Sequence, residues 1–141
     1  MIMGDNKQNI SVTVDNVIRR TTSDGPEVLL VKRKNDPYKG RWALPGGFVD
    51  TWERLKEAAA RELKEETGID AKNLEQVSVF DDPQRDPRGR TISIAFSGEA
   101  APDSEARGKD DASEARWWKV GEIPDLAFDH SRILETVMQG D

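Results

Sequence analysis

The sequence predicts an α/β domain in which helices pack on both faces of a mixed sheet. Three observations lead to this class. Helix-period and strand-period segments interleave along the chain. A turn signal joins the first two strands, so hairpin pairing is present beside the helical connections. The chain has 141 residues, 35% of them hydrophobic, which suits one domain with one core and places residues 1–141 in a single unit.

Residues 1–9 are polar and are expected to form a flexible tail. Ile10, Val12 and Val14 alternate with polar residues, the pattern of a strand. Val28, Leu29, Leu30 and Val31 form a short apolar run within residues 27–32, typical of a buried strand. The Asp24-Gly25-Pro26 turn joins the two into a hairpin. Residues 35–40 form a loop, and residues 41–44 and 47–49 are short extended pieces flanking Pro45-Gly46-Gly47.

A helix is expected from about residue 51 to 67. Asp50 followed by Glu53 has the spacing of a capping box, Ala58, Ala59 and Ala60 favour helix, and Gly68 supplies the stop. Residues 77–80 form a strand, and residues 81–90 a loop rich in Pro and Arg. Thr91, Ser93 and Ala95 alternate with Ile92, Ile94 and Phe96 in a half-buried strand. Residues 98–114 form an acidic loop, and residues 115–120 a last strand. Trp117 and Trp118 there point to opposite sides, one into the core and the other toward a surface or partner. Residues 131–138 form a helix with Ile133, Leu134 and Val137 on one face.

Composition excludes several classes of function. No run approaches the ~18 apolar residues of a membrane span, and the N-terminus has no basic and apolar segments of a secretion signal. A cytoplasmic location is therefore expected, with no membrane partner. There are no cysteines, so a metal would have to be held by carboxylates, carbonyls, water or the single His130. The net charge of −6 argues against nucleic acid as a partner, because such binding needs a basic surface. A phosphorylated small molecule remains compatible if a cation helps to hold it.

The chemistry concentrates on the first helix. On a helical wheel Leu55, Ala58, Ala59 and Leu63 form one stripe. Glu62 and Glu66 fall within it and Glu65 borders it. A solvated acidic face should oppose the apolar stripe, not interrupt it. Carboxylates one turn apart repel, and the negative end of the helix dipole adds to the repulsion. A hard divalent cation such as Mg²⁺ resolves the conflict.

Gly47, Glu53, Arg61, Glu62, Leu63, Glu65, Glu66, Gly68 and Ile69 fill every fixed position of the pattern G-x5-E-x7-R-E-U-x-E-E-x-G-U, with U aliphatic. Nine specified positions at fixed spacing form the Nudix box, and the chain resembles that family. VKRKNDPYKGRWALPGG before the box and EARWWKVGEIPDLAFDH after it extend the resemblance over most of the chain. The resemblance implies an α/β/α sandwich around a mixed sheet, and hydrolysis of a nucleoside diphosphate linked to another group. It implies Mg²⁺, with Mn²⁺ as a substitute, on Glu62, Glu65, Glu66 and the Gly46 carbonyl. Glu62 is a ligand or a base depending on the member. Arg61 and Glu53 pair to orient the acids. Asp111, in the loop before the last strand, is expected as a further ligand or the general base, with Asp110 and Glu114 as rivals.

RDPRGRTISIAFSG at 85–98 and LAFDH at 126–130 resemble the ADP-ribose pyrophosphatase branch, which also contains ADP-ribose-sensing regulators. Arg33 is a candidate phosphate contact, or a surface Arg at a strand end. Arg85 and Arg90 are candidate substrate contacts, and Arg88 reads as braced structure. Asp129 is expected near the base pocket, and His130 as a hydrogen-bonded cap of the last helix. Trp52 stands where relatives often have Gly. The leading expectation is conversion of ADP-ribose to AMP and ribose 5-phosphate by a homodimer. The alternatives are sanitation of oxidised nucleoside triphosphates and a non-catalytic ADP-ribose sensor. The sensing regulators carry an added DNA-binding domain, for which no room is expected after the last helix.

Overall fold

The computed structural model describes residues 8–140, so most of the expected N-terminal tail lies outside the described residues. In chain order the elements are β1 (Ser11–Thr22), β2 (Gly25–Arg33), β3 (Trp42–Ala43), β4 (Gly46–Phe48), α1 (Leu55–Thr67), β5 (Lys72–Phe80), β6 (Thr91–Glu99), β7 (Ala112–Lys119) and α2 (His130–Gln139). A single 3-10 turn at Val120–Glu122 separates β7 from the approach to α2.

The strands form one sheet in the order β3-β2-β1-β6-β5, with β4 on β1 and β7 on β2. β1 and β6 are parallel, Ser11 lying beside Thr91 and Arg19 beside Glu99. The other pairings are antiparallel, including the β1–β2 hairpin that closes at Thr22 and Gly25. The sheet is therefore mixed, as expected.

Period-two alternation feeds two cores. Val14 and Ile18 of β1, Leu29 of β2 and Ile94 and Phe96 of β6 pack with Ala58, Ala59 and Leu63 of α1. Their alternates Val17, Val28, Leu30 and Ala95 pack with Ile133, Leu134 and Val137 of α2. One helix thus covers each face, the α/β/α sandwich that the interleaved pattern predicts.

Several local expectations are corrected. α1 starts at Leu55, not near residue 51. Asp50 and Glu53 close a turn of their own, the Glu53 carboxylate accepting from the Asp50 amide at 3.0 Å. The helix is instead entered through Arg54, whose amide donates to Glu57 at 2.9 Å. The stop at Gly68 is as expected, with φ 76. β5 begins at Lys72, well before residue 77. As an edge strand it carries polar residues outward and shows no clean alternation. β7 likewise begins at Ala112, inside the expected loop.

β6 is buried on both faces, not half-buried. Its small polar residues mislead because they are satisfied internally. The Ser93 hydroxyl donates to the buried Asp15, and that of Thr91 to the Gly89 carbonyl. The two tryptophans also differ from expectation. Trp117 packs on the α1 core and Trp118 on the α2 core, so a sheet covered on both sides uses both.

Candidate active site

The β3–β4 turn, Leu44 to Gly47, meets the C-terminal half of α1 over the end of β1. Its fastening follows from backbone accounting, since buried N–H and C=O groups must be paired. Leu44 N–H donates to His130 Nδ1 at 3.0 Å, and the Pro45 carbonyl accepts from Asn16 N–H at 2.8 Å. Gly46 N–H donates to Glu66 Oε1 at 2.9 Å. Gly46 sits opposite Asp15 across the β1–β4 pairing. The two glycines are required by space. A Cβ on Gly46 would stand 2.0 Å from the Val14 carbonyl oxygen, and one on Gly47 2.6 Å from the Glu62 carboxylate.

The loop from 100 to 111 is tied to the same helix end. Arg107 N–H donates to the Thr67 carbonyl and Lys109 N–H to that of Glu66, both at 3.0 Å. These bonds occupy carbonyls that a helix terminus leaves unpaired. They also bring Asp111 to the mouth of the same cleft, on whose wall Glu62 and Glu66 lie.

The cleft has a volume of about 340 Å³. Its acids strain one another. Burial, followed by the charges of Glu62, Asp111 and Asp15, pushes Glu66 up to about 8 despite the Gly46 hydrogen bond. Burial also raises Glu62, against the pull of Arg61. Among the described residues no three acidic or histidine side chains are drawn together about one point. Among the described residues Glu66 has no ion-pair partner, its carboxylate taking the Gly46 amide, and oxygen donors of this kind suit a hard divalent ion.

Arg61 organises the outer side. Its Nε and Nη2 donate to Glu53 at 2.6 and 2.9 Å, and its Nη1 to Glu62 at 2.9 Å and Glu65 at 2.7 Å. A fifth bond runs from Nη2 to the Phe48 carbonyl at 3.1 Å. The hydrogen bond from Arg61 holds Glu53 well below the usual carboxylate range. Glu65 is more exposed than Glu62 and lies outside the cleft lining, on the Arg61 side of the helix.

The candidate substrate residues divide. Arg33 lines the cleft and stacks over the Phe128 ring at 5.0 Å. Its hydrogen bonds go to the Pro37 and Asn35 carbonyls at 2.7 and 3.4 Å, and among the described residues no acid lies within ion-pair distance. Burial, then nearby Arg88, lowers its pKa. Arg85 is a wall group. Its side chain is buried, its Nε and Nη2 donating to both oxygens of Asp129 at 2.9 and 2.7 Å. Arg90 faces away, binding the Asp81 carbonyl at 2.6 Å beside a separate hollow.

The lining residues outside the sequence-based candidates include Asp15, Arg88, Phe48 and Phe128. Arg88 is braced by Asp86 as expected, but its guanidinium also bridges the rings of Phe48 and Phe128 at 5.0 and 5.3 Å. Asp15 had a visible signal, a lone acid inside the apolar run of β1. His130 opens α2 without capping it. It is buried between Leu44 and Asp15, and burial keeps it neutral by lowering its pKa.

With this geometry in place, comparison with known proteins gives the class. Residues 10–137 match the model of the NUDIX domain, and the chain belongs to the Nudix family. It is a Nudix hydrolase close in sequence to an ADP-ribose pyrophosphatase of Methanocaldococcus jannaschii, 43% identical over 129 residues, 92% of this chain and 73% of that protein. It is also 35% identical to the ADPR-responsive transcriptional repressor NtrR of Acinetobacter baylyi, covering 88% of this chain and 51% of the repressor. The NUDIX domain of Shewanella oneidensis NrtR, solved with ADP ribose, superposes with TM-score 0.90 at 28% identity, covering 99% of this chain and 93% of that one. Among the described residues no helix is long and apolar enough to cross a membrane.

Proposed function

We propose that this Nudix hydrolase cleaves ADP-ribose to AMP and ribose 5-phosphate, with Mg²⁺ as its cation and Mn²⁺ as a working substitute. The observation that carries the reading is the cleft itself. Buried Glu66, with Glu62 and Asp111, faces Arg33, a cation without an acidic partner of its own among the described residues. Glu62, Glu65, Glu66, Asp111 and the Gly46 carbonyl are the groups that would hold the ion. Bound there, it neutralises a diphosphate and lowers the pKa of water.

The chain's own residues supply the rest. Arg61 and Glu53 orient Glu62 and Glu65, Arg33 meets phosphate charge, and Asp111 or Glu62 accepts the proton of the attacking water. Arg85 forms a wall of the cleft, held from behind by Asp129, and the aromatic rings of Phe48 and Phe128 line the same cleft. Similarity to the M. jannaschii pyrophosphatase supports ADP-ribose as the substrate. We also propose that the chain acts as a homodimer, for which nearly fully exposed Trp52, beside the catalytic turn, is the candidate contact.

Similarity to the repressor favours one second reading, binding of ADP-ribose without turnover. Chromatography of products separates the readings. The panel is ADP-ribose, NADH, diadenosine polyphosphates and canonical and oxidised nucleoside triphosphates, with Mg²⁺ and with EDTA. AMP plus ribose 5-phosphate, lost with EDTA, supports the proposal. Tight binding of ADP-ribose with no turnover of any compound supports the sensor. Pyrophosphate release from an oxidised triphosphate alone would transfer the reading to nucleotide sanitation.

A further inference from the structure

Beneath the glycine turn runs a chain of buried polar groups that the proposed reaction does not use. Ser93 on β6 donates its hydroxyl to Asp15 Oδ2 on β1. The other Asp15 oxygen lies 3.3 Å from His130 Nε2. The opposite ring nitrogen, Nδ1, accepts from Leu44 N–H at 3.0 Å. Ser93, Asp15 and His130 are all buried. The bond from Leu44 settles the tautomer. An Nδ1 that accepts carries no proton, so the proton sits on Nε2, which lies 3.3 Å from Asp15 Oδ1.

We propose that Asp15 and His130 are positioning residues. Together they set the height of the 44–47 turn and so the placement of the Gly46 carbonyl and of Gly47 against the Glu62 carboxylate. The inference rests on the metal-site reading above. Three observations support it. A buried carboxylate–imidazole pair is costly filler, since apolar residues of similar size pack with less desolvation. The turn lies directly on the pair, for a Cβ on Gly46 would come within 2.8 Å of Asp15 Oδ1. Finally, the amide of Gly46 is held by Glu66, the group for which a cation competes. The Leu44 anchor does not depend on the cation, so it holds the turn while Glu66 changes partner. Groups that hold ligands from behind in this way are worth roughly tenfold to a hundredfold in metal affinity.

Two substitutions split the unit. His130→Asn places an oxygen near the position of Nδ1 and keeps an acceptor for Leu44. His130→Gln reaches toward Asp15 and leaves the Leu44 amide without one. Mn²⁺ affinity is read by paramagnetic resonance titration. The amide resonances of Leu44 and Gly46 are read by NMR in the metal-free protein. His130→Gln is expected to weaken Mn²⁺ about tenfold and to move both resonances, and His130→Asn to stay within about threefold of the native protein. Equal losses in the two variants, or native affinity and resonances in His130→Gln, overturn the proposal. If either variant fails to fold, Ser93→Ala removes the hydroxyl from Asp15 Oδ2 and leaves Arg85 Nη2, 3.9 Å away, as the nearest charged group to that oxygen. The substitution is expected to move the Gly46 resonance in the metal-free protein, and a Gly46 resonance at its native position overturns the proposal. If the native protein itself binds no Mn²⁺, the metal-site reading fails, while the resonances still report separately on the turn.

Discussion

Arg61 holds Glu53 through two parallel hydrogen bonds, from Nε at 2.6 Å and Nη2 at 2.9 Å. The forked contact ties the turn before α1 to the middle of the helix, and the remaining nitrogen steadies Glu62 and Glu65. Glu53→Gln keeps the size and one acceptor but loses the charge. Its expected effect is a fall in kcat of about tenfold or more, the usual cost of losing a group that orients ligands. Steady-state kinetics check this beside a thermal melt, which reports separately what the partly buried pair contributes to the fold.

Glu66 gives a prediction with a definite sign. Its pKa stands near 8 in the folded, metal-free protein against an ordinary 4.5. Between those values the folded state holds a proton that the unfolded state has lost, so stability contributed by Glu66 falls as pH rises from about 4.5 to about 8 and then levels. Chemical denaturation across that range should show the decline. Glu66→Gln should flatten it, since the amide cannot ionise, and Mg²⁺ should offset it in the native protein. The same substitution is expected to lower kcat by about 10²-fold or more. Retention of the native rate would remove Glu66 from the site.

Gly47→Ala tests the fit of the turn against the acids. The added methyl would meet the Glu62 carboxylate at 2.6 Å, so that side chain must swing away. Weaker Mn²⁺ binding, by about tenfold, is expected with the fold intact by circular dichroism. Undisturbed affinity would place Glu62 outside the metal site.

Arg33→Ala should act on substrate and not on metal. A hydrogen bond to a charged phosphate is worth about 1.5–3 kcal/mol, so kcat/KM for ADP-ribose should fall roughly tenfold to a hundredfold. Mn²⁺ affinity without substrate should stay near the native value. The opposite result, lost metal affinity with unchanged KM, would make Arg33 a scaffold residue.

Much of this fold was legible because its signals are local. Alternation in β1, the apolar run of β2 and the αL stop at Gly68 each act within a few residues. The start of α1 was misplaced for a non-local reason. Glu53 has the chemistry of a capping residue, but Arg61 takes its carboxylate eight residues on. β6 was read as half-exposed because Ser93 looks like a surface residue until Asp15 is brought beside it. The acids of α1 were readable as a cluster, since helical period alone places Glu62 and Glu66 on the buried stripe. The bracing of Arg85 by Asp129 was not, because their pairing depends on a loop and a helix start far apart in sequence.

β1 lies at the heart of the sheet, yet its parallel neighbour β6 is supplied by a distant part of the chain, Ser11 standing beside Thr91. On a ribosome β1 emerges well before β6 and must wait for it. The β1–β2 hairpin can close locally, but closing so long a loop to bring β6 beside β1 is a slow step. Asp15, on β1, is satisfied by Ser93 of β6 and His130 of α2, so the floor of the cleft is completed only when the C-terminal part of the chain arrives. Synthesis order thus makes catalytic competence a late event in the life of each molecule. A stalled chain that presents the acidic helix alone carries the motif without its support.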